Sequence, residues 1–143
     1  MLKGSFMRLS FSAVLASGLL FLSGATAAFG NEAAAAAAMI SSYRASQGLG
    51  PVVADARLNQ LAEYQARSVA SAGQLSHGNF AGRMAQAGIY AAAENLSMGP
   101  ASVGAAIARW KVSPAHNENL LMSSARRIGL ARSGRYWALV LSQ

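Results

Sequence analysis

Residues Trp110–Leu121, WKVSPAHNENLL, most strongly constrain how this chain folds, because they place a large aromatic residue directly before a change of chain direction. Ser113 is a suitable N-cap for a new helix, and Pro114 suits the first helical position, whose N–H has no intrahelical partner. His116 then falls in the first helical turn, while the pair Leu120–Leu121 is spaced to face inward. The segment predicts a corner that is anchored on one side and presents a histidine on the other.

The N-terminus has the three-part organisation of a secretory signal peptide. Two basic residues precede an uncharged apolar run at residues 9–22, and Ala25–Ala27 fit the A-x-A cleavage pattern. We expect residues 1–27 to be a signal peptide, residues 28–143 to form the mature domain, and the product to be secreted or periplasmic. The alternative is an uncleaved anchor, since the charge-free run reaches about 20 residues when it is extended to Phe29.

Composition narrows the class of partner. The mature domain is long enough to bury a hydrophobic core, and the absence of cysteine excludes a disulfide framework and a lipid-attached cysteine. Basic residues are scattered singly except for Arg126-Arg127, a pattern that does not favour nucleic acid. We expect no nucleic-acid partner and no membrane span after cleavage. The modest positive charge favours anionic cell-envelope polymers as partners instead.

Two helices are predicted at the start of the mature domain. Residues 31–47 carry apolar side chains at helical spacing and are followed by Gly-Leu-Gly-Pro, which ends a helix. Asp55 is a suitable N-cap for a second amphipathic helix that continues to Gly73. We expect Tyr43 and Tyr64, one on each helix, to lie in the core or in helix contacts rather than in a ligand site.

The second half of the chain predicts strands around one further helix. Glu94–Met98 alternates as a short strand does, and residues 128–141 form a hairpin with a turn at Ser133-Gly134. The intervening helix carries Trp110 on its apolar face, so we expect this tryptophan to be a core residue. The last strand is continuously apolar, which indicates a central strand covered on both faces by helices.

Two polar residues stand out beside the corner histidine. His77 lies in a turn-rich segment just before a short helix that Asn79 is suited to cap. Glu94 follows three alanines and precedes a strand, so we expect it to be partly enclosed, and an enclosed carboxylate needs a partner. Taken alone, each of these residues is more typical of a structural hydrogen bond than of a ligand site.

Taken together and in order, these segments resemble the CAP superfamily, which includes cysteine-rich secretory proteins, insect venom antigens, plant pathogenesis-related proteins and short bacterial relatives. The resemblance runs through nearly the whole mature domain as Tyr43-Arg44, DARLNQLAEYQA, SHG, AEN, WxxSPxH, NLL, IGLA and YW. It implies an α+β fold, a three-layer α-β-α sandwich with a small central antiparallel sheet, and a central cleft.

The resemblance also implies a set of cleft residues. His77, Glu94 and His116 correspond to two histidines and one acid that line the cleft in larger members. The second acid has no counterpart, because the segment between the tryptophan and the second histidine is five residues long and contains no Asp or Glu. Ala115 and Asn117 stand where short bacterial members usually have glycine and arginine, and both differences weaken the inference of a ligand from the family.

Two function classes follow from these residues. The first is a secreted, non-catalytic binding or interaction module whose cleft takes a small ligand or a divalent metal such as zinc, held by His77 and His116. Two histidines with at most one carboxylate leave a tetrahedral set incomplete, so we expect only weak metal binding. The structural alternative has both histidines hydrogen-bonded to Glu94 and backbone without a metal.

The second class is a hydrolase that uses the same cleft through Ser76, His77 and Glu94, as peptide hydrolysis has been proposed within the family. Ser76 and His77 are adjacent in the sequence, and adjacent side chains seldom meet as nucleophile and base. No nucleophile elbow or HExxH motif accompanies them. The sequence therefore favours binding over hydrolysis.

Overall fold

A computed structural model describes residues 23–143, with side chains from residue 31 onward. This part of the chain contains five helices and four strands: α1 (Ser23–Ser46), β1 (Val53–Ala54), α2 (Ala56–Ala72), α3 (Phe80–Gln86), β2 (Ala92–Met98), α4 (Val103–Val112), α5 (Pro114–Leu120), β3 (Arg127–Ser133) and β4 (Tyr136–Ser142). The signal peptide predicted for residues 1–27 lies almost entirely outside the described residues and stays a prediction. Within residues 23–143, no helix has the length and apolar character needed to cross a membrane.

The four strands form one mixed sheet in the order β1-β3-β4-β2. Strands β2, β3 and β4 pair antiparallel, with Glu94 opposite Val140 and Ile128 opposite Leu141. These three strands confirm the predicted antiparallel sheet. The short strand β1 adds a parallel pairing to β3, which the sequence did not predict because two residues are too few to show an alternation.

Helices cover both faces of the sheet, which confirms the three-layer sandwich. Neighbouring strand residues point to opposite faces, so β3 and β4 contribute to two separate cores. Helices α1, α4 and α5 pack on one face, where the largest buried side chains are Ile40, Trp110, Leu120, Ile128, Leu130, Trp137, Leu139 and Leu141. Helices α2 and α3 pack on the other, with Leu58, Val69, Met84, Leu96 and Val140.

Close packing between α2 and β3 depends on Gly129. A Cβ atom at this position would collide with the backbone of Leu58 and Asn59, so any other residue would push the helix away from the sheet. The Asn59 side chain completes this contact by accepting a hydrogen bond from Leu130 N at 3.0 Å. This close contact fixes the start of α2 on the sheet. It thereby also helps to set the direction of the helix, which leads to the turn that carries His77.

The buried Arg44 side chain anchors the corner to α1. Its Nε donates to Gly50 O at 2.8 Å, and its Nη1 donates to Leu120 O and Met122 O, both at 2.9 Å. Nη2 completes the set with Ala125 O at 3.3 Å. The fully buried guanidinium is thus hydrogen-bonded to four backbone carbonyls, and it holds the C-terminal end of α5 in place.

Candidate functional site

The candidate site lies at the free edge of the sheet, on strand β2. Glu94 shares the orientation of Leu96, which belongs to the core under α2 and α3, while Asn95 points to the opposite face. Because β2 pairs only with β4, groups that extend from both faces can meet around its open edge. This edge brings the α2–α3 layer and the α5 corner close to one another.

Glu94 is the centre of the first half of the site. Its side chain is 1% exposed and accepts from Arg83 Nη2 at 2.9 Å, while its other oxygen lies 2.9 Å from Nδ1 of His77. Burial raises the pKa of Glu94, and the hydrogen bond from His77 and the charge of Arg83 oppose that rise. The enclosed carboxylate predicted from the sequence therefore has two partners.

The position of His77 is fixed by the turn between α2 and α3. Gln65 on α2 donates to Ser76 O at 2.6 Å, and the Ser76 hydroxyl accepts from Gly78 N at 3.1 Å. Arg83 then donates through Nη1 to His77 O at 3.0 Å. Backbone contacts on either side therefore set where the imidazole stands relative to Glu94.

The contact with Glu94 also fixes which imidazole nitrogen is free. An ionised carboxylate only accepts hydrogen bonds, so Nδ1 of His77 carries the proton and donates. The neutral ring then has its lone pair on Nε2, and the side chain is 56% exposed. In many metal sites, a carboxylate binds one nitrogen of an imidazole in this way and orients the other nitrogen toward the metal.

His116 lies at the third position of α5, as the sequence predicted. Its carbonyl oxygen accepts from Asn95 Nδ2 at 3.0 Å, and Asn119 donates to Asn95 Oδ1 at 2.9 Å and to Glu94 O at 3.3 Å. Burial lowers the pKa of His116, and the charge that His77 carries when protonated lowers it further. Of the two histidines, His77 is the one that contacts the Glu94 side chain.

The corner itself differs from the prediction in one respect. Ser113 has the extended backbone of an N-cap and Pro114 follows it, but the serine side chain makes no capping hydrogen bond. The corner is held instead by Tyr43, whose hydroxyl donates to Asn117 Oδ1 at 2.7 Å. Asn117, which replaces the arginine usual in short bacterial members, thus tethers α5 to α1.

The two tyrosines expected in the core or in helix contacts have different surroundings. Tyr43 is partly buried, packs against the α1 core and has the Lys111 ammonium 4.2 Å from its ring centroid, which agrees with that expectation. Tyr64 is 62% exposed, so it is not a core residue, and only the expected helix contact applies to it. Its ring lies 6.0 Å from the Arg83 guanidinium, and it is a surface residue of α2.

Sequence reasoning missed Arg83, Asn95 and Asn119 as site residues. A signal for Arg83 was present, because it is the only basic residue between Arg67 and Arg109 and an enclosed carboxylate at Glu94 requires a cation or donors. The asparagines carry no comparable signal. Their role depends on bringing residues 95 and 119 together, which only the tertiary structure does.

Two concave surfaces lie beside the site. Two open cavities of about 450 and 470 Å³ run between α2 and α3, and Tyr64, Arg83 and Gln86 line both. Neither histidine lines these two cavities. The polar groups that could bind a ligand at the β2 edge therefore lie outside these two cavities.

The sequence matches the cysteine-rich secretory protein family, CAP, over residues 37–137. This match covers more than half of the chain and includes His77, Glu94 and His116. The protein belongs to the CAP family. No curated protein matches the chain significantly.

Solved structures of bacterial proteins share the CAP fold. An extracellular protein with an SCP domain from Bacillus anthracis is 17% identical with a TM-score of 0.76, covering 89% of this chain and 45% of its own. A cysteine-rich secretory protein from Staphylococcus aureus is 19% identical with a TM-score of 0.69, covering 78% and 38%. An outer surface protein from Borrelia burgdorferi is 19% identical with a TM-score of 0.67, covering 74% and 87%. This chain thus spans less than half the length of the first two proteins.

The residues at the β2 edge fit a metal ion only in part. Both Glu94 oxygens already bond His77 and Arg83, so the carboxylate is not free to serve as a ligand. In the described part of the chain, no group of three His, Cys, Asp or Glu residues is placed to hold an ion. The available donors are the Nε2 atom of His77 and the ring of His116. Such a pair fits a weakly held ion whose remaining positions are open to water, and not a closed structural site.

Proposed function

We propose that this CAP domain is a secreted, non-catalytic binding module whose ligand site is the edge of β2 between His77 and His116. The observation that carries the proposal is the buried Glu94 carboxylate, which accepts from His77 and Arg83 at once. This pairing leaves Nε2 of His77 as an oriented, exposed acceptor. An oriented acceptor held on a rigid strand edge binds either a small ligand with a hydrogen-bond donor or a divalent metal.

The metal would be held by His77 and His116. Glu94 would orient the His77 ring through its contact with Nδ1. The bound ion would act as a Lewis acid for an oxygen or nitrogen of a further ligand. Two imidazole ligands predict weak affinity for the metal. The fold does not depend on the metal, because a hydrophobic core lies on each face of the sheet. The fold should therefore survive chelation.

Several contacts argue against the hydrolase alternative. A Ser-His-Glu mechanism needs the serine hydroxyl at the free nitrogen of the histidine. The Ser76 hydroxyl instead accepts from Gly78 N within its own turn. Among the described residues, His77 has one side-chain hydrogen bond, to Glu94, so this ring has an orienting acid and no nucleophile.

Zinc titration by calorimetry tests the binding site. We expect weak binding to the native protein at pH 7.5 and a large loss in both His77→Ala and His116→Ala. Binding should weaken further at pH 5.5, since protons compete for imidazole nitrogen near its usual pKa of about 6.5. Glu63→Gln removes an acid of α2 outside the site and should bind zinc as the native protein does. Absence of binding at pH 7.5, or binding that persists unchanged from the native protein in both histidine variants, would exclude the metal site and leave the histidines as structural residues.

Assays with peptide and ester substrates separate binding from hydrolysis. We expect no turnover by the purified protein. Turnover that is lost in both Ser76→Ala and His77→Ala, with circular dichroism showing that both variants stay folded, would replace the binding proposal with the hydrolase alternative.

Mass spectrometry of the exported product tests secretion. Cleavage after the A-x-A pattern predicts a mature N-terminus at about Ala28. A membrane-bound product that keeps Met1–Ala27 would support the uncleaved anchor instead.

A further inference from the structure

A second charged surface lies at the opposite end of strand β2, where the strand leaves the sheet. It consists of Arg109 on α4 and of Arg132 and Arg135 at the β3–β4 turn, and we call it the arginine patch. Met98 at the end of β2 lies four residues beyond Glu94, a separation of about 13 Å along an extended strand. The patch is therefore separate from the histidine site.

Two of the guanidinium groups converge on Gly99. The nearest nitrogens of Arg109 and Arg135 lie 3.5 and 4.0 Å from the position that a Cβ on Gly99 would occupy. Gly99 has a φ of +112°, a conformation that other residues rarely adopt, and its N–H donates to Arg135 O at 2.8 Å. The glycine thus keeps the chain in a bend beside which two positive charges lie close to one another.

Backbone contacts pre-position two of the arginines. Arg109 donates through Nη1 to Met98 O at 2.7 Å. Arg132 donates to Gly134 O at 2.7 Å and to Ala101 O at 3.2 Å. Each guanidinium has more donors than these bonds use, so the remaining N–H groups are available while the side chains are already oriented.

The patch has no counter-charge within the described part of the chain. The ion pairs there involve Arg67, His77, Arg83 and Arg127, and none includes an arginine of the patch. Like charges held close together repel, and an anion between them removes that repulsion. The planar guanidinium group of arginine can also donate two parallel hydrogen bonds to two oxygens of one phosphate.

We propose that the arginine patch binds phosphate groups of a linear polyanion, with one phosphate seated above Gly99 between Arg109 and Arg135. Arg132 extends the positive surface to a neighbouring phosphate of the same chain. The patch is open to solvent, so a single phosphate should bind weakly. A polymer with repeated phosphates should bind more tightly, because several of its groups bind at once. A nucleic acid is a poorer fit, because Trp137 is buried beneath Arg132 and the partly buried Tyr136 beside Arg135 packs against the core under α2 and α3. Neither ring is a fully exposed surface on which a base could stack.

Fluorescence anisotropy with labelled linear polyphosphate tests this proposal at low salt. The variant Arg109→Gln/Arg135→Gln should bind about tenfold more weakly, since it loses charge-assisted hydrogen bonds. The matched control Arg57→Gln/Arg126→Gln removes the same charge from two exposed arginines outside the patch that form no ion pair among the described residues, and it should lose much less. Equal losses in the two variants, or no binding by the native protein, would overturn the proposal.

Two further measurements distinguish specific phosphate binding at the patch from general electrostatic attraction and from nucleic-acid binding. Arg109→Lys/Arg135→Lys keeps both charges but loses the planar guanidinium groups that can make paired hydrogen bonds. We therefore expect binding of intermediate affinity. Native affinity in this variant would contradict the proposed phosphate position above Gly99. Oligothymidine of matched charge should bind no more tightly than polyphosphate, and tighter binding would favour nucleic acid instead. Thermal unfolding of every variant shows whether the fold is kept, and zinc binding should be unchanged in all of them.

Discussion

Arg83 and Glu94 form a 2.9 Å ion pair that is almost entirely enclosed, and the same guanidinium donates to the carbonyl oxygen of His77. One arginine thus compensates the burial of the acid and fixes the turn that carries the exposed histidine. The site is built by a residue of α3 that does not itself face the proposed ligand.

Removal of the Arg83 cation should destabilise the protein. Arg83→Gln leaves Glu94 buried with His77 as its remaining side-chain partner, and breaking a buried pair typically costs about 3 to 5 kcal/mol. Chemical denaturation measures the free energy of unfolding. The control is Arg67→Gln, which breaks the exposed pair with Glu63 and should cost at most about 1 kcal/mol. Similar costs for the two variants would show that Glu94 does not depend on Arg83.

The stability of the fold should fall as the pH is lowered through the range in which His116 titrates. The pKa of His116 is lowered in the folded protein, first by burial and then by the charge of His77. The unfolded chain therefore takes up a proton at a higher pH than the folded protein does. The contribution of neutral His116 to stability is complete above about pH 6.5, and it is lost as the pH falls from that value to the lower pKa of the folded protein. Denaturation midpoints at pH 7.5 and 5.5 should differ less in His116→Gln than in the native protein. An equal difference would exclude His116 as a source of the pH dependence.

Trp110 should be among the most costly core residues to truncate. It is completely buried, and its Nε1 donates to Leu96 O at 3.2 Å. Trp110→Ala should cost about 3 to 5 kcal/mol of unfolding free energy, the usual range for large aromatic residues in cores. Val112, on the same helix, is 82% exposed, and Val112→Ala should change stability by less than about 0.5 kcal/mol. An unchanged midpoint for Trp110→Ala would contradict its place in the core.

Arg44 should not be replaceable by lysine. The guanidinium reaches four carbonyl oxygens in different directions, and an ammonium on a flexible stem cannot satisfy them all. Arg44→Lys should cost at least about 2 kcal/mol, because buried acceptors are left unpaired. Arg57→Lys on the exposed face of α2 is the matched control, and thermal unfolding compares the two. Equal stability would show that water or a local shift replaces the lost bonds.

Much of the fold was predictable because its signals are local. Asp55 and Asn79 cap α2 and α3 through their own side chains, at 2.9 and 3.0 Å from the N–H groups three residues ahead. The burial of Trp110 and the helical placement of His116 follow from spacing in the same way. The exposure of Tyr64 was not predictable by this means, because an aromatic residue within an amphipathic helix does not reveal how wide the covered face is.

The sequence by itself determined most of the helices and strands, the corner and the need of Glu94 for a partner, since caps, turns and hydrophobic periodicity act over a few residues. The set His77, Glu94 and His116 followed from the order of motifs along the chain. Tertiary structure alone decided that Arg83 is the cation beneath Glu94 and that Asn95 joins α5 to the sheet. It also decided that Arg109 and Arg135 meet above Gly99. Such contacts join residues that are far apart in the chain, and they depend on how helices pack across a sheet edge, which no local pattern encodes.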